Sequence, residues 1–130
     1  MKDMDEALRS MDFEFYGRGE HKTSHEALFK AKDALLLDLR SDEERKIVNI
    51  QLPWIPTLHI PLHELPGRWT EIPEDRPVGL FCSSDTRSTM AFAYLYARGY
   101  RQARILLGGY GAMSEALKPG KLYARLKDTP

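Results

Sequence analysis

A short apolar run meets a polar loop and then a long apolar segment in the stretch Val78-Gly79-Leu80-Phe81-Cys82-Ser83-Ser84-Asp85-Thr86-Arg87-Ser88. The apolar run has the length of a buried strand, and the segment after the loop has the pattern of a helix packed on most of its faces. The loop holds the one cysteine of the 130-residue sequence, Cys82. A thiol at the entry to a helix meets unpaired backbone N–H groups and the positive end of the helix dipole. Both favour the thiolate, which is the nucleophilic form.

Two charged side chains of this loop act in opposite directions on the thiol. Arg87 adds a positive charge that favours the thiolate. Asp85 is an acid in the same loop, and we expect it to raise the pKa of the thiol and to repel anions. The sequence leaves the balance between the two open.

The rest of the chain alternates strand and helix patterns. Besides 78–81, four segments read as strands: 13–16, 34–39, 57–60 and 103–107. The run at 34–39 lacks alternation, which is typical of a strand covered on both faces of a parallel sheet. We therefore predict one domain over residues 1–130, built as an open, mainly parallel α/β sheet of about five strands with helices on both faces. Ligands bind beyond the carboxyl ends of strands in such sheets, and Cys82 lies at such an end.

Local signals suggest where the helices begin and end. Capping-box patterns open helices at Thr23 and at Ser41, and Ser88 is the predicted N-cap of the long helix, with Gly99 just beyond its end. The last helix, from residue 112, is predicted to end before Pro119. Residues 1–11 are predicted as a loose lead or a short helix, and residues 121–130 as a C-terminal tail.

Composition limits the classes of function. Nineteen basic and nineteen acidic residues give a net charge of zero, which argues against wholesale binding to nucleic acid or to an anionic membrane. Residues 98–130 are locally basic, either as a solvated face or as a docking surface for an acidic partner. A single cysteine excludes an internal disulfide, no apolar run could span a membrane, and the first residues lack signal-peptide features. We therefore expect a cytoplasmic location.

Four motifs in order resemble the single-domain rhodanese family. The loop Cys82 to Ser88 resembles that family's Cys-x-x-Gly-x-Arg-Ser loop between a strand and a helix. The other three are Leu37-Asp38-Leu39-Arg40, Ile60-Pro61-Leu62-His63-Glu64-Leu65 and Leu107-Gly108-Gly109-Tyr110-Gly111-Ala112-Met113. The chain departs from the family at Asp85 in place of Gly, at Met113 in place of Trp, and at residues 52–57. Asp tolerates left-handed backbone conformations, so the loop shape is expected to survive with altered electrostatics.

The resemblance implies sulfur transfer through Cys82. The Cys82 thiolate would take the outer sulfur of a donor such as thiosulfate and hold it as a persulfide, cradled by backbone N–H groups of the loop. The residues implied in binding the donor are Ser83, Ser84, Asp85, Thr86, Arg87 and Ser88. Arg87 would orient the donor's anionic end. The acceptor would be an external thiol, cyanide or a sulfur-acceptor protein, because the chain has no second cysteine. No metal and no cofactor are implied.

The sequence also bears on other functions. A non-catalytic module that carries a persulfide or binds a partner remains an alternative. Phosphatase loops of related fold have five residues between Cys and Arg, whereas four separate Cys82 from Arg87, which leaves too little room for a phosphate. The histidine pairs His21/His25 and His59/His63 are expected to be solvated or capping rather than metal ligands, because Pro61 interrupts one pair and a helix start interrupts the other.

Overall fold

The computed structural model describes residues 3–127, which form one parallel β-sheet wrapped by helices. The five strands lie in the order β1-β5-β4-β2-β3, and all neighbours are parallel. Their bounds are β1 Lys22–Thr23, β2 Leu35–Asp38, β3 Thr57–His59, β4 Val78–Phe81 and β5 Ala103–Leu106. The predicted α/β class and parallel sheet are therefore confirmed.

Eight helices connect and flank the strands of the described chain. They are α1 Met4–Arg9, α2 Phe13–Gly17, α3 His25–Lys30, α4 Asp42–Ile47, α5 Leu65–Arg68, α6 Thr86–Ala97, α7 Gly109–Ala116 and α8 Pro119–Lys127. Two 3₁₀ turns, Leu62–Glu64 and Trp69–Glu71, flank α5. Within the described residues, no helix is both long enough and apolar enough to cross a membrane.

Two apolar clusters lie on opposite faces of the sheet. Leu35 and Leu37 of β2 join Leu95 of α6 in one cluster, while Leu36 joins Leu28 of α3 and others in the second. Every residue of β2 and of β4 is buried. This explains why the run 34–39 is apolar throughout: successive side chains of a strand point to opposite faces of the sheet, and both faces are covered here.

The prediction of a strand at residues 13–16 is wrong. Residues Phe13–Gly17 form helix α2, which Asp12 caps by accepting a hydrogen bond from the backbone N–H of Phe15 at 3.0 Å. Phe15 is buried against the rings of α6, whereas Phe13 is 94% exposed, so the alternating apolar positions of 13–16 do not share one buried face as they would in a strand. The fifth strand is instead the two-residue β1, which is too short to show a period.

Several helix ends also differ from the prediction. Helix α6 begins at Thr86 with Asp85 at its N-cap, not with Ser88, and Ser24 rather than Thr23 caps α3. Helix α7 ends at Ala116, before Pro119 as predicted, but it begins at Gly109 rather than at residue 112. Pro119 opens the further helix α8, since proline fits the first turn of a helix. The capping box of Ser41 is confirmed, and so is the place of Gly99 just beyond α6, where it follows the C-cap Arg98 with a positive φ.

The two chain ends are partly helical. In the N-terminal lead, Met4–Arg9 is helical and Ala7 is fully buried. In the C-terminal tail, α8 continues to Lys127. Residues 1–2 and 128–130 of these predicted segments lie outside the described residues.

Candidate active site

The sulfur of Cys82 is enclosed by hydrogen-bond donors at the carboxyl end of β4. The backbone N–H of Ser88 donates to Sγ at 3.3 Å, and Ser88 Oγ lies 3.5 Å from Sγ. The Cys82 side chain is buried, with 1% exposure. Burial acts to raise the pKa of the thiol, but it is outweighed by hydrogen bonds from the Ser88 side chain and from the N–H groups of Ser88, Ser84 and Arg87. The pKa of Cys82 therefore lies below its ordinary value.

Asp85 gives the loop its shape, and its carboxylate binds the backbone of Gly108. Its φ of 70° and ψ of −15° place it in the left-handed region, as expected of a residue that replaces glycine. Both carboxylate oxygens accept from the backbone N–H of Gly108 at 3.0 Å. The carboxylate thus ties the Cys82 loop to the start of α7, and the thiol pKa stays low despite the nearby acid.

The start of α7 forms the second wall of the loop. The backbone N–H of Tyr110 donates to the carbonyl of Ser83 at 3.1 Å. Gly109 has a φ of 53°, and a Cβ at this position would collide with the Ser83 carbonyl. Glycine is needed at 109 because the two backbones approach this closely, and at 108 because φ is 100° and a Cβ there would collide with the side chain of Ala112. The loop is therefore held between the N-termini of α6 and α7.

Arg87 forms an ion pair with Glu44. Its two terminal nitrogens donate to the two oxygens of Glu44 at 2.6 and 2.8 Å, and one of them also donates to Ser83 Oγ at 2.9 Å. Hydrogen bonding to Arg87 lowers the pKa of Glu44 to about 2. No motif in the sequence pairs Glu44 with Arg87, although the capping box of Ser41 places Glu44 shortly after β2, at the same sheet edge as Cys82.

A buried network of hydrogen bonds connects the end of β2 with α7 beside the site. The guanidinium of Arg40 binds the carboxylate of Asp38 through two bonds of 2.9 and 2.8 Å and donates to the Tyr110 hydroxyl at 3.0 Å. Arg40 and Asp38 are 0% and 1% exposed. The pairing of Asp38 with Arg40 is structural, and through Arg40 it holds the ring of Tyr110 beside Phe81, the residue before Cys82.

Thr86 and the histidines named from the sequence make no hydrogen bond to the sulfur among the described residues. Thr86 is exposed at the first turn of α6. His59 bonds the carbonyl of Arg40 at 2.7 Å, and His25 is buried at the start of α3. Among residues 3–127, no three His, Cys, Asp or Glu side chains come together as a metal site.

Comparisons with known proteins agree with this architecture. The family model for the Rhodanese-like domain matches residues 22–116. A protein named "Sulfurtransferase" from Allochromatium vinosum is 40% identical over 82 residues, which cover 63% of this chain and 73% of that protein. A rhodanese-related protein from Thermoplasma volcanium has a TM-score of 0.65 at 23% identity, over 76% of this chain and 95% of that one.

A larger enzyme contains a similar unit. The NAD-dependent persulfide reductase from A. fulgidus has a TM-score of 0.57 at 33% identity, over 74% of this chain but only 16% of that chain. The family match covers most of the present chain, including the Cys82 loop and all five strands. The chain therefore belongs to the rhodanese-like domain family.

Proposed function

We propose that this protein is a sulfurtransferase that carries sulfane sulfur as a persulfide on Cys82. The observation that carries the proposal is the set of backbone donors around Sγ, which are the N–H groups of Ser84, Arg87 and Ser88. Such a set of donors stabilises anionic sulfur, both as the attacking thiolate and as the terminal atom of a persulfide. Family membership and the sulfurtransferase relative support the same class of reaction.

The transfer proceeds in two displacements. The Cys82 thiolate attacks the outer sulfur of the donor, a new S–S bond forms, and the old bond to that sulfur breaks. The electron pair of the broken bond leaves with sulfite when thiosulfate is the donor, or with a thiolate when an organic persulfide is the donor. An acceptor thiolate or cyanide then attacks the outer sulfur of the Cys82 persulfide, and the Cys82 thiolate is the leaving group. Neither displacement requires an oxidant or a reductant.

Persulfides fit the site better than thiosulfate does. Glu44 already neutralises Arg87, so the charge available to bind a dianion is reduced. The similarity to part of a persulfide reductase supports persulfides as the donor class. A reducing cytoplasm, where small-molecule thiols are abundant, would suit an acceptor from outside the chain.

A non-catalytic sulfur carrier is the second candidate, and the burial of Cys82 favours it. A thiol with 1% exposure is reached by a slender donor sulfur but poorly by a bulky acceptor. Such a carrier would be loaded by a donor and would release its sulfur only slowly.

Mass spectrometry of the intact protein tests both candidates. After incubation with glutathione persulfide, the sulfurtransferase should gain the mass of one sulfur atom at Cys82, and an added thiol should remove it with multiple turnover. Cys82→Ser should gain nothing. Loading without turnover would identify the carrier, and a failure to load with either glutathione persulfide or thiosulfate would rule out both.

A further inference from the structure

Two hydroxyl groups beside the Cys82 loop each accept a hydrogen bond from a guanidinium group. Ser83 Oγ accepts from Nη2 of Arg87 at 2.9 Å, and the Tyr110 hydroxyl accepts from Nη1 of Arg40 at 3.0 Å. Neither hydroxyl donates its own hydrogen to an acceptor within the part of the chain that the structure describes. Each hydroxyl therefore has a hydrogen left to donate to a ligand.

The guanidinium partners strengthen both hydroxyl groups as donors. A hydroxyl oxygen that accepts a hydrogen bond from a cation is polarised, and its own O–H group then donates more strongly. Arg40 keeps the carboxylate of Asp38 as its counter-charge, and Arg87 keeps that of Glu44. The two hydroxyl groups thus offer hydrogen bonds to an anion without placing an unpaired positive charge beside the sulfur.

Tyr110 is held close to the cysteine by its backbone and by its ring. Its N–H donates to the carbonyl of Ser83 at 3.1 Å. Its ring lies edge-on to that of Phe81, with 6.1 Å between the ring centres. Ser83 and Phe81 are the two neighbours of Cys82 in sequence, so Tyr110 contacts the chain on both sides of the reacting residue.

The sulfur and the Tyr110 hydroxyl lie within the electrostatic reach of the same guanidinium group. The pKa of Arg87 is raised, first by its hydrogen bond with Glu44 and then by Coulomb interaction with Cys82 and with Tyr110. Cys82 is 1% exposed, whereas Tyr110 is 36% exposed. A sulfur donor that enters from solvent reaches Sγ with its outer sulfur, so its other half stays at the level of more exposed neighbours such as Tyr110.

The departing half of a sulfur donor needs hydrogen-bond donors of its own. It gains negative charge as its bond to the transferred sulfur breaks. The N–H groups of Ser84, Arg87 and Ser88 bind Sγ of Cys82, and the two Nη atoms of Arg87 already bind Glu44. The two polarised hydroxyl groups can supply the hydrogen bonds that these groups do not.

We propose that the hydroxyl groups of Tyr110 and Ser83 donate hydrogen bonds to the departing half of the sulfur donor, so that Tyr110 is a further catalytic residue. The proposal rests on the sulfur-transfer function given above. The new bond joins Sγ of Cys82 to the outer sulfur, and the electron pair of the broken S–S bond goes to the departing thiolate, which accepts the hydrogen bonds. Both hydroxyl groups keep their protons, and the step needs neither an oxidant nor a reductant.

Loading of Cys82 by three aryl persulfides tests the proposal. The para-methoxy, unsubstituted and para-nitro compounds release arylthiolates of decreasing basicity, and rapid quenching followed by mass spectrometry gives each loading rate. Tyr110→Phe keeps the ring and removes the hydroxyl, while Arg40 keeps its bonds to Asp38 and to the carbonyl of Val48.

The variant should differ most from the unmodified protein with the poorest leaving group. Tyr110→Phe should load about tenfold more slowly with the para-methoxy donor and at most about twofold more slowly with the para-nitro donor, because a nitro group already delocalises the charge. Ser83→Ala should shift this dependence in the same direction. Equal slowing of Tyr110→Phe with all three donors, or no slowing, would overturn the proposal, because the hydroxyl would then act through structure alone or not at all.

Tyr100→Phe is the matched control. Tyr100 donates to the carbonyls of Trp69 and Ile72, and it lies before β5, at the edge of the sheet opposite the Cys82 loop. Loss of its hydroxyl should slow all three donors by the same factor or leave their rates unchanged. A dependence on the leaving group that changes as much in Tyr100→Phe as in Tyr110→Phe would also overturn the proposal.

Aryl methyl disulfides separate this proposal from the proposed function. Attack of the Cys82 thiolate at the methyl-bearing sulfur forms a methyl disulfide on Cys82 and expels the same arylthiolates, so this reaction needs no transfer of sulfane sulfur. If the persulfides fail to load Cys82 but Tyr110→Phe makes the reaction of the disulfides more dependent on the leaving group, the role of the hydroxyl stands and the sulfur-transfer function is wrong. If the persulfides load Cys82 and neither reagent shows this change, the role of the hydroxyl is wrong. If Cys82 reacts with neither reagent, both are wrong.

Discussion

At the scale of single residues, Cys82 is subject to two opposed effects. Its burial disfavours a charged sulfur, and its hydrogen bonds from the loop favour one. The hydrogen bonds win because several donors point at one atom in a space from which water is largely excluded. Ser88 contributes both its side chain and its backbone N–H, so it is the residue through which the balance is most easily changed.

Replacement of Ser88 by Ala should raise the pKa of Cys82, because one donor to the thiolate is lost while burial remains. The rate of alkylation by iodoacetamide, followed against pH, measures this pKa. The unmodified protein should keep its reactive thiolate to lower pH than an unfolded cysteine does, and the variant's profile should move to higher pH. The matched control is Ser84→Ala, which removes a side chain but keeps the backbone donor. Identical profiles for Ser88→Ala and the unmodified protein would contradict the assignment.

Asp85 allows charge and geometry to be tested separately. Asp85→Asn keeps the left-handed residue and an oxygen for the Gly108 N–H but removes the charge, whereas Asp85→Gly keeps the backbone freedom and removes the tether. If the carboxylate repels anions, Asn should raise kcat/KM with thiosulfate by several-fold, at roughly 1 kcal/mol for one nearby charge. It should raise kcat/KM less with a singly charged aryl persulfide.

The two variants differ further in stability. Asp85→Gly should have a lower free energy of unfolding than Asp85→Asn, by about 1 kcal/mol for the lost hydrogen bond to Gly108. Equal gains with both donors in Asp85→Asn would show that charge plays no part.

At the scale of elements, Glu44 links two helices that are distant in sequence. It completes the capping box at the start of α4 and binds Arg87 in the first turn of α6. Both helices start at the carboxyl edge of the sheet, after the neighbouring strands β2 and β4. One carboxylate therefore fixes the start of α4 and the position of the only arginine in the Cys82 loop.

Glu44→Gln should remove a pH-dependent part of the free energy of unfolding. The pKa of Glu44 is about 2 in the folded protein and 4.5 without its partners, so its stabilisation is complete above pH 4.5 and is lost as the pH falls towards 2. Gln still completes a capping box, so the change isolates the charge. The difference in free energy of unfolding between protein and variant should be largest at neutral pH and shrink below pH 4.5.

Urea denaturation between neutral and acid pH measures this difference, with Glu74→Gln as the control for an exposed glutamate outside any ion pair of the described residues. A difference that stays constant over the whole range would mean that the Arg87 pair contributes no stability.

At the scale of the whole molecule, the buried pair of Asp38 and Arg40 joins sheet, loop and helix. Arg40 lies after β2, contacts the rings of Phe81 and Tyr110, and also donates to the carbonyl of Val48 at 2.7 Å. A charge with 0% exposure is tolerated only because its donors are satisfied. The pair is therefore a structural centre on which the position of α7 depends.

Asp38→Ala should cost about 3 to 5 kcal/mol of stability, because it leaves a buried guanidinium without its counter-charge. Glu71→Ala, which removes a partner of the half-buried Arg68, should cost far less, because solvent screens that ion pair. Chemical denaturation of both variants gives the comparison. Similar losses would show that the buried pair is no more important than the exposed one.

The sequence predicted the features that rest on apolar runs and family motifs, and it failed where tertiary contacts decide. Short, continuous apolar runs without helical periodicity predict the buried strands β2 and β4. The parallel sheet and the place of Cys82 at its edge follow from those two strands. The segment Phe13–Gly17 has the sequence pattern of a strand but forms a helix. Contacts with α6 decide which of its aromatic residues is buried, and the sequence pattern does not contain those contacts. The pairing of Glu44 with Arg87 joins residues far apart in sequence, and a capping signal accounts for Glu44 by itself.

The two outer strands of the sheet are its shortest, with two residues in β1 and three in β3. Pro56 and Pro61 stand on either side of β3, and helix α3 begins directly after the cap that follows β1. Such margins offer few free backbone groups to which a foreign chain could add as a further strand. The fold is thus protected against edge-to-edge aggregation, and any partner has to be recognised by the shape and charge of side chains.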